Sequence, residues 1–171
     1  MSLQENRLSN THSDWDQKKL KHLSRVVGGG TPSKDDITYW FSGDVPWVSP
    51  KDMKKREIFE TEDYITEQAV KESATRKVPK GTPLIVTRSG ILKHSLPIAI
   101  AGVDVALNQD LKAFLFSKEV LPKFFQYWVE GQSSELLLEW CQLGATVDSI
   151  DVYRMMDSIM AVPPLEYQES A

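Results

Sequence analysis

Short hydrophobic runs fill the first two thirds of the chain, and their composition predicts β-strands. The runs are rich in β-branched residues and are bounded by proline, glycine or threonine, which favour turns. We expect strands over residues 44–49, 82–89 and 111–116, and a strand–turn–strand unit over 97–107. Gly102 marks the bend of that unit, and Pro46 favours an edge position or an entry point for the first strand because it lacks an amide proton. Residues 19–27 fit either a strand or a short helix.

The last third of the chain follows a helical period instead. One apolar stripe at positions i, i+3, i+4 and i+7 is formed by Leu121, Phe124, Phe125, Trp128 and Val129. Gly131 ends this helix, and Ser133 or Ser134 begins a second one. Residues 151–156 predict another short helix, and residues 158–162 an extended segment. Pro163 and Pro164 suit the first turn of a final helix.

One more helix interrupts the strands, over residues 66–77, with Thr66 as its N-cap and Pro79 beyond its end. A chain of 171 residues is long enough for one domain with its own core. The sequence therefore predicts a single domain of mixed α/β, α+β-like class. Its sheet is mixed or antiparallel and carries flanking helices.

Charge is divided unevenly along the chain. Residues 1–100 carry 16 Lys and Arg against 13 Asp and Glu, whereas residues 101–171 carry 4 against 11. The whole chain has a net charge of −4 and a pI of about 5.4, which argues against a nucleic-acid binder. Its cations nevertheless concentrate in residues 51–56 and 71–95. They form a basic surface for an anion, or else they are ordinary solvated charges with no partner.

The stretch GGGTPSK, residues 28–34, has the composition of a phosphate-binding loop without its spacing. A P-loop requires glycine directly before the lysine, and here Lys34 follows Ser33. The dinucleotide-binding pattern fails as well, because its third glycine position is Ser33. We expect the glycines to supply backbone with positive φ in a sharp turn, from which residues 31–33 set the exit.

The sequence shows no catalytic or metal-binding constellation. Cys141 is the single cysteine, lies in an apolar helix and is expected to be a core residue. The three histidines lack the spacing of metal ligands. No apolar run is long enough to span a bilayer. We therefore expect no catalytic site, no metal and no membrane association, and the lack of disulfides fits a reducing cytoplasm.

Four segments then occur in a characteristic order. They read VVGGGTPSKDDITYWFSGDVPWVSPKDM from Val26, LIVTRSGILKHSLPIAIAG from Leu84, ALNQDLKAFLF from Ala106 and GATVDSIDVYRMMDSIMAVPPLEYQ from Gly144. In this order and spacing they resemble the target recognition domain of the DNA-specificity subunit of type I restriction-modification systems. The resemblance covers residues 18–169.

The resemblance implies sequence-specific binding of double-stranded DNA by a specificity subunit, or by a half or fragment of one. Such a subunit has no catalytic activity of its own. It directs methyltransferase and restriction subunits to one half of a bipartite target, and S-adenosylmethionine, ATP and Mg²⁺ belong to those partners. In this plan residues 1–17 are a tail, 18–163 the recognition domain and 164–171 the start of a spacer helix. Two copies could pair through that helix, and we expect a cytoplasmic location.

Recognition domains of this family differ most where they contact bases, so the candidate DNA-binding residues come from side-chain chemistry. Phosphates are bound by Lys, Arg and hydroxyl groups, and base edges by Arg, Lys, Asn and Gln. Turns that follow strands carry most of the candidates, which are Thr31, Ser33, Lys34, Lys51, Lys54, Lys55, Arg56, Thr87, Arg88, Ser89, Lys93, Asn108 and Gln109.

Each group of candidates has an alternative interpretation. Lys54, Lys55 and Arg56 also fit an ordinary solvated turn, and Arg88 a pairing with a buried carboxylate. Asn108 favours stabilising its own turn over reading adenine, and Trp47 favours the core over stacking on a base.

A second class of function fits the acidic half of the chain. Glu130, Glu135 and Glu139 are expected to face a methyltransferase subunit. In the alternative to DNA binding, this half makes the chain a protein-interaction or assembly subunit, and the basic turns are incidental.

Overall fold

The computed structural model describes residues 14–142 and 148–170, and the following elements are those of the described residues. The strands are β1 (Asp16–Lys19), β2 (Ser24–Gly28), β3 (Val45–Val48), β4 (Glu57–Ile58), β5 (Asp63–Ile65), β6 (Arg76–Val78), β7 (Pro83–Val86), β8 (Ile98–Ala101), β9 (Val105–Leu107), β10 (Leu111–Phe116), β11 (Cys141–Gln142), β12 (Ser149–Ile150) and β13 (Ile159–Val162). The α-helices are α1 (Leu20–Leu23), α2 (Ile37–Trp40), α3 (Glu67–Glu72), α4 (Pro122–Gly131), α5 (Ser133–Trp140), α6 (Val152–Asp157) and α7 (Leu165–Ser170), and 3-10 turns cover Pro50–Asp52 and Gly90–Lys93.

Two larger sheets organise these strands. The five-stranded sheet has the order β2-β10-β7-β8-β4, and the four-stranded sheet has the order β5-β3-β9-β6. Pairing is antiparallel except between β3 and β9 and between β4 and β8, which run parallel. The predicted mixed α/β class with flanking helices is therefore confirmed. The two strands on either side of Gly102 are also confirmed, and the structure assigns them to different sheets.

The main hydrophobic core lies between the five-stranded sheet and helices α4 and α5. Phe114 of β10, Phe125 of α4 and Trp140 of α5 are each at most 1% exposed. The Phe114 and Phe125 rings lie 4.7 Å apart, which adds aromatic contact to simple burial. The predicted apolar stripe of this helical segment is thus core, and Gly131 and Ser133 end and begin helices as expected.

A smaller second core belongs to the four-stranded sheet. It consists of Val45, Trp47, Ile65, Ala69 and Ala106, and Tyr39, Trp40 and Val70 pack against it. This core joins β3, β5 and β9 to the helices α2 and α3. It fixes the ends of those strands, from which the candidate loops emerge.

The helix predicted over residues 66–77 is shorter than expected. Thr66 is its N-cap, accepting a hydrogen bond from the Ala69 amide, but α3 ends at Glu72. The Thr75 hydroxyl donates to the Leu107 carbonyl, and Arg76 to Val78 then pair with β9. Pairing with a buried strand outweighs the local helix preference of these last residues.

Of the edge and the entry point that Pro46 favours, the edge is wrong, because β3 lies inside its sheet between β5 and β9. Pro46 is the second residue of β3 and lies at the entry of the strand. Val48 accepts a hydrogen bond from the Asn108 amide, so the backbone groups of alternate residues, including position 46, face β9. The pairing of β3 with β9 starts only at Trp47, opposite Ala106. Pro46 therefore lacks its amide proton at a position where pairing with β9 has not yet begun.

The chain ends of the described region lie together. Strand β1 pairs with β13, with Asp16 opposite Val162. The Gln168 side chain of α7 accepts from the Leu121 amide and donates to the Glu119 and Pro163 carbonyls. The division into residues 1–17, 18–163 and 164–171 stays a prediction, and residues 1–13 lie outside the described part. No helix among the described residues is long and apolar enough to cross a membrane.

Candidate nucleic-acid interface

The glycine run crosses the ends of the two sheets at very short range. A Cβ atom on Gly29 would lie 2.1 Å from the Leu107 carbonyl oxygen, and one on Gly30 would lie 2.8 Å from the Ala74 Cβ. The expected left-handed turn is wrong, since among the described glycines the positive φ belongs to Gly81. The run is glycine because the backbone passes directly over β9, and this path delivers Thr31 and Lys34 beside the end of that strand.

Two indole rings hold the loop that follows. The Trp47 Nε1 donates to the Gly30 carbonyl at 3.1 Å, and the Trp40 Nε1 donates to the Ser33 carbonyl at 2.9 Å. The rings meet edge to face with centroids 5.4 Å apart. Trp47 is only 6% exposed, which confirms its interpretation as core. Both backbone carbonyls are therefore fixed, and the side chains between them point from a rigid loop.

The turn after β3 is fixed by a reciprocal cap. The Ser49 amide and hydroxyl both donate to Asp52 Oδ2, at 2.9 and 3.3 Å, around the 3-10 turn. Lys51 leaves this turn toward β5 and forms ion pairs with Asp63 at 3.2 Å and Glu62 at 3.3 Å. Hydrogen bonds to Asp63 and then Glu62 raise the pKa of the Lys51 ammonium. Lys51 is thus charged and positioned, but it shares its charge with two carboxylates.

The third turn follows β9. Asn108 Oδ1 accepts a hydrogen bond from the Asp110 amide at 2.8 Å, so Asn108 stabilises its own turn, as its alternative interpretation stated. Gln109 projects from this turn, and its Oε1 accepts from the Thr31 hydroxyl at 2.5 Å. This bond joins the glycine loop to the β9 turn across 78 residues of sequence.

These three turns enclose one open cleft of about 530 Å³. It is lined by Thr31, Lys34, Trp40, Trp47, Ser49, Lys51, Asp63, Asn108 and Gln109, and we refer to this set as the cleft. Five candidates from the sequence meet here, namely Thr31, Lys34, Lys51, Asn108 and Gln109. Lys34 is exposed and makes no ion pair within the described part of the chain.

Sequence reasoning missed Trp40 and Asp63 as parts of the cleft. Trp40 lies in an aromatic run, residues 39–41, and its spacing from Ser33 carries no periodic signal. Asp63 is half-buried and holds Lys51, and no local pattern marks this carboxylate as part of a site. The cleft therefore presents amide, hydroxyl, ammonium and carboxylate groups together, a mixture of donors and acceptors of the kind that base edges require.

The loop carrying Arg88 borders the cleft without lining it. The Thr87 amide and hydroxyl both donate to the Asp110 carbonyl, at 2.8 and 3.2 Å, so this candidate is buried and internally bonded. The Ser89 hydroxyl caps the 3-10 turn by accepting from the Ile91 amide. Arg88 and Lys93 are exposed, and neither forms an ion pair among the described residues. Among the described residues, Arg88 therefore does not pair with a buried carboxylate, which was its alternative interpretation.

The remaining candidates do not line the cleft. Lys54 and Lys55 are exposed beyond the Ser49 turn, and Ser33 is exposed beside the cleft. Arg56 reaches α4, where its Nε donates to Glu130 Oε1 at 2.9 Å and its guanidinium lies 4.9 Å from the centre of the Tyr127 ring. Hydrogen bonds to Glu130 and then Tyr127 raise the pKa of Arg56. The structure thus commits Arg56 to the helical half of the molecule.

The acidic residues of that half are partly used inside the chain. Glu130 is the partner of Arg56, and Glu139 accepts a hydrogen bond from the Ser158 hydroxyl at 3.2 Å. Glu135 is half-buried in the first turn of α5. Within residues 14–142 and 148–170, no group of three His, Cys, Asp or Glu side chains is placed to hold a metal ion.

The chain is similar to known proteins in both sequence and fold. The family model described as "Type I restriction modification DNA specificity domain" matches residues 12–170. The EcoR124I/EcoR124II type I restriction enzyme specificity subunit of Escherichia coli is 37% identical over 162 residues, which are 95% of this chain and 40% of that protein. The MjaIX type I restriction enzyme specificity subunit of Methanocaldococcus jannaschii is 33% identical over 159 residues, covering 91% and 36%. The chain thus spans about two fifths of the length of these relatives.

Solved structures share the fold at lower identity. The HsdS subunit from Thermoanaerobacter tengcongensis gives a TM-score of 0.69 at 16% identity, covering 94% of this chain and 36% of that one. A chain from a study of complex assembly and conformational transition of the type I R-M system gives 0.71 at 16% identity, covering 94% and 37%.

Proposed function

Because the chain belongs to the type I restriction modification DNA specificity domain family, we propose that it binds double-stranded DNA and reads one half of a bipartite target. The cleft carries this proposal. Three turns that are distant in sequence converge on it, and each contributes a residue type that contacts bases or phosphates. Their positions are held by hydrogen bonds within the chain, so the surface is preorganised before DNA arrives.

Roles within the cleft follow from the chemistry of each side chain. Gln109 is exposed, and its amide nitrogen donates no hydrogen bond in the described structure, so it suits an acceptor on a base edge. Lys34 forms no ion pair among the described residues that it would have to break, so it suits a phosphate. Arg88, on the bordering loop, is free to contact guanine or phosphate.

The proposal extends to the assembly in which the chain works. The chain acts as a non-catalytic specificity subunit, or part of one, that directs methyltransferase and restriction subunits to its target in the cytoplasm. S-adenosylmethionine, ATP and Mg²⁺ are bound by those partners in this scheme. Helix α7 begins the spacer through which two copies pair.

Binding to duplex DNA at several salt concentrations tests the proposal. The wild-type chain is expected to bind random duplexes weakly, with log K falling linearly with log salt, and selection from a random pool is expected to enrich one short motif. Neutralising Lys34 in Lys34→Gln is expected to make the salt slope shallower by about 0.9, the value of one lost phosphate contact. The matched control is Lys71→Gln, which changes an exposed lysine of α3 outside the cleft.

A wild-type chain that shows no salt-dependent binding to any duplex contradicts the proposal. If such a chain still forms a complex with its methyltransferase, the alternative of a pure assembly subunit is supported instead. In that case exchanging Glu130, Glu135 and Glu139 for lysine is expected to abolish the complex.

A further inference from the structure

A second concavity of about 820 Å³ adjoins the cleft. It opens between the ends of β2 and β10 on one side and helix α6 on the other. Val26, Val152 and Met156 provide its apolar lining, and Lys21, Lys112 and Arg154 carry its positive charge. Gly28, Tyr153 and Asp157 complete the lining, and we refer to these nine residues as the basic groove. None of them was a DNA-binding candidate from the sequence.

Two short segments of the chain connect the basic groove to the cleft. Gly28 lines the groove and Thr31 lines the cleft, and Lys112 lines the groove and Gln109 lines the cleft. Three residue steps span at most roughly 10 Å of extended backbone. The two concavities are therefore immediate neighbours.

The charges of the basic groove are only partly neutralised within the chain. The Lys112 amine lies against Gly28, where an added Cβ would come within 2.7 Å of Nζ, and it forms no ion pair among the described residues. Arg154 is loosely paired with Asp151 at 3.8 Å. Asp157, the one carboxylate in the lining, is shared by Lys21 and Lys19 at 3.0 Å each. A positive excess remains, with the hydroxyl-bearing Tyr153 90% exposed beside it.

We propose that the basic groove binds the phosphate backbone of the same duplex whose bases the cleft reads. The proposal rests on the proposed function. Cations with few acceptors around them suit phosphates, because phosphate oxygens accept hydrogen bonds and donate none. Lys112 and Arg154 are the contacts, and Tyr153 adds a hydroxyl donor. An acidic protein segment is the competing occupant.

The test compares Lys112→Gln and Arg154→Gln with the wild-type chain, using duplexes of unrelated sequence between about 50 and 200 mM salt. Each variant is expected to weaken binding to all sequences alike and to make the slope of log K against log salt shallower by about 0.9. Lys112→Arg keeps the charge and is expected to restore the wild-type slope. Lys123→Gln, on an exposed lysine of α4 that lines neither concavity, is the matched control.

The outcomes separate this inference from the function beneath it. If the wild-type chain binds with a steep slope and both glutamine variants keep that slope, the groove does not bind phosphate and the inference is overturned. If the wild-type chain does not bind duplexes at all, both the inference and the proposed function fail. A shallower slope that Lys112→Arg does not restore points to misfolding and also overturns the inference.

Discussion

The cleft and the basic groove lie side by side, but their polar side chains are arranged differently. In the cleft, Gln109 is bonded to Thr31, Asn108 to its own turn and Lys51 to two carboxylates. In the basic groove, Lys112 forms no ion pair among the described residues, and Arg154 is held only loosely. The cleft is thus fixed and mixed in hydrogen-bonding character, whereas the groove carries an excess of positive charge on side chains with few partners.

Under the proposed function, this difference predicts that the two regions contact different parts of a duplex. Discrimination among base pairs needs donors and acceptors at fixed positions, because a side-chain amide that can reorient forms hydrogen bonds with any base. Binding to the phosphate backbone needs charge, and its geometry is repeated at every nucleotide. Changes in the cleft should therefore alter sequence preference, and changes in the groove should alter affinity for every sequence.

The largest effect is expected at Gly29, where the backbone passes between the two regions. In Gly29→Ala the new Cβ would lie 2.1 Å from the Leu107 carbonyl oxygen, so the loop or β9 must move. We expect a loss of about 3 kcal/mol in the free energy of unfolding. Urea denaturation measures it. Gly90→Ala is the control, because no atom lies within 4 Å of its added Cβ. Equal unfolding midpoints for the two variants would contradict the close approach of Gly29 to the Leu107 carbonyl oxygen.

A smaller and more selective effect is expected from Gln109→Ala. Loss of the side-chain amide should change the preference at one base pair by about 1–3 kcal/mol, while the salt slope stays at its wild-type value. Competition among duplexes that differ by single base pairs measures both quantities. The control is Gln68→Ala, an exposed glutamine of α3 outside the cleft. A uniform loss for all sequences together with a shallower slope would place Gln109 on phosphate and remove the distinction between the regions.

The smallest effect is expected at Arg56, although the sequence places this residue in a dense run of cations over residues 51–56. Its guanidinium is committed to Glu130 and Tyr127 on α4, away from both concavities. Arg56→Gln should leave the salt slope of DNA binding unchanged. The same titration series that is used for Lys34→Gln checks this result. A slope as shallow as that of Lys34→Gln would mean that the ion pair opens on DNA.

The sequence predicted strands β3, β7, β8, β9, β10 and β13, the helices of the acidic half and the turns at which candidate residues gather. It did not predict β1, β4 or β5, and it placed a helix over β6. These features depend on local signals, such as β-branched runs, Gly131 as a helix end and Thr66 as an N-cap. Five of the candidates indeed meet in the cleft. Local chemistry was sufficient there because strand ends within a sheet bring their following turns together.

What the sequence could not provide were partners that tertiary structure selects. Arg56 finds Glu130 across 74 residues, and Lys51 finds carboxylates that follow another strand. The three glycines looked like a left-handed turn, because a close backbone crossing leaves no trace in one segment alone. Lys112 was hidden within a strand whose other residues are apolar, so its position beside α6 could not be anticipated.

Backbone amide shifts in an NMR titration with a short duplex test the central claim most directly. The claim is that the cleft and the basic groove form one DNA-binding face. It predicts that the largest shifts occur at Thr31, Lys34, Gln109 and Lys112, and that Tyr127 and Glu130 on α4 do not shift. Shifts concentrated on α4 and α5, with the glycine loop and the β9 turn unchanged, would contradict it.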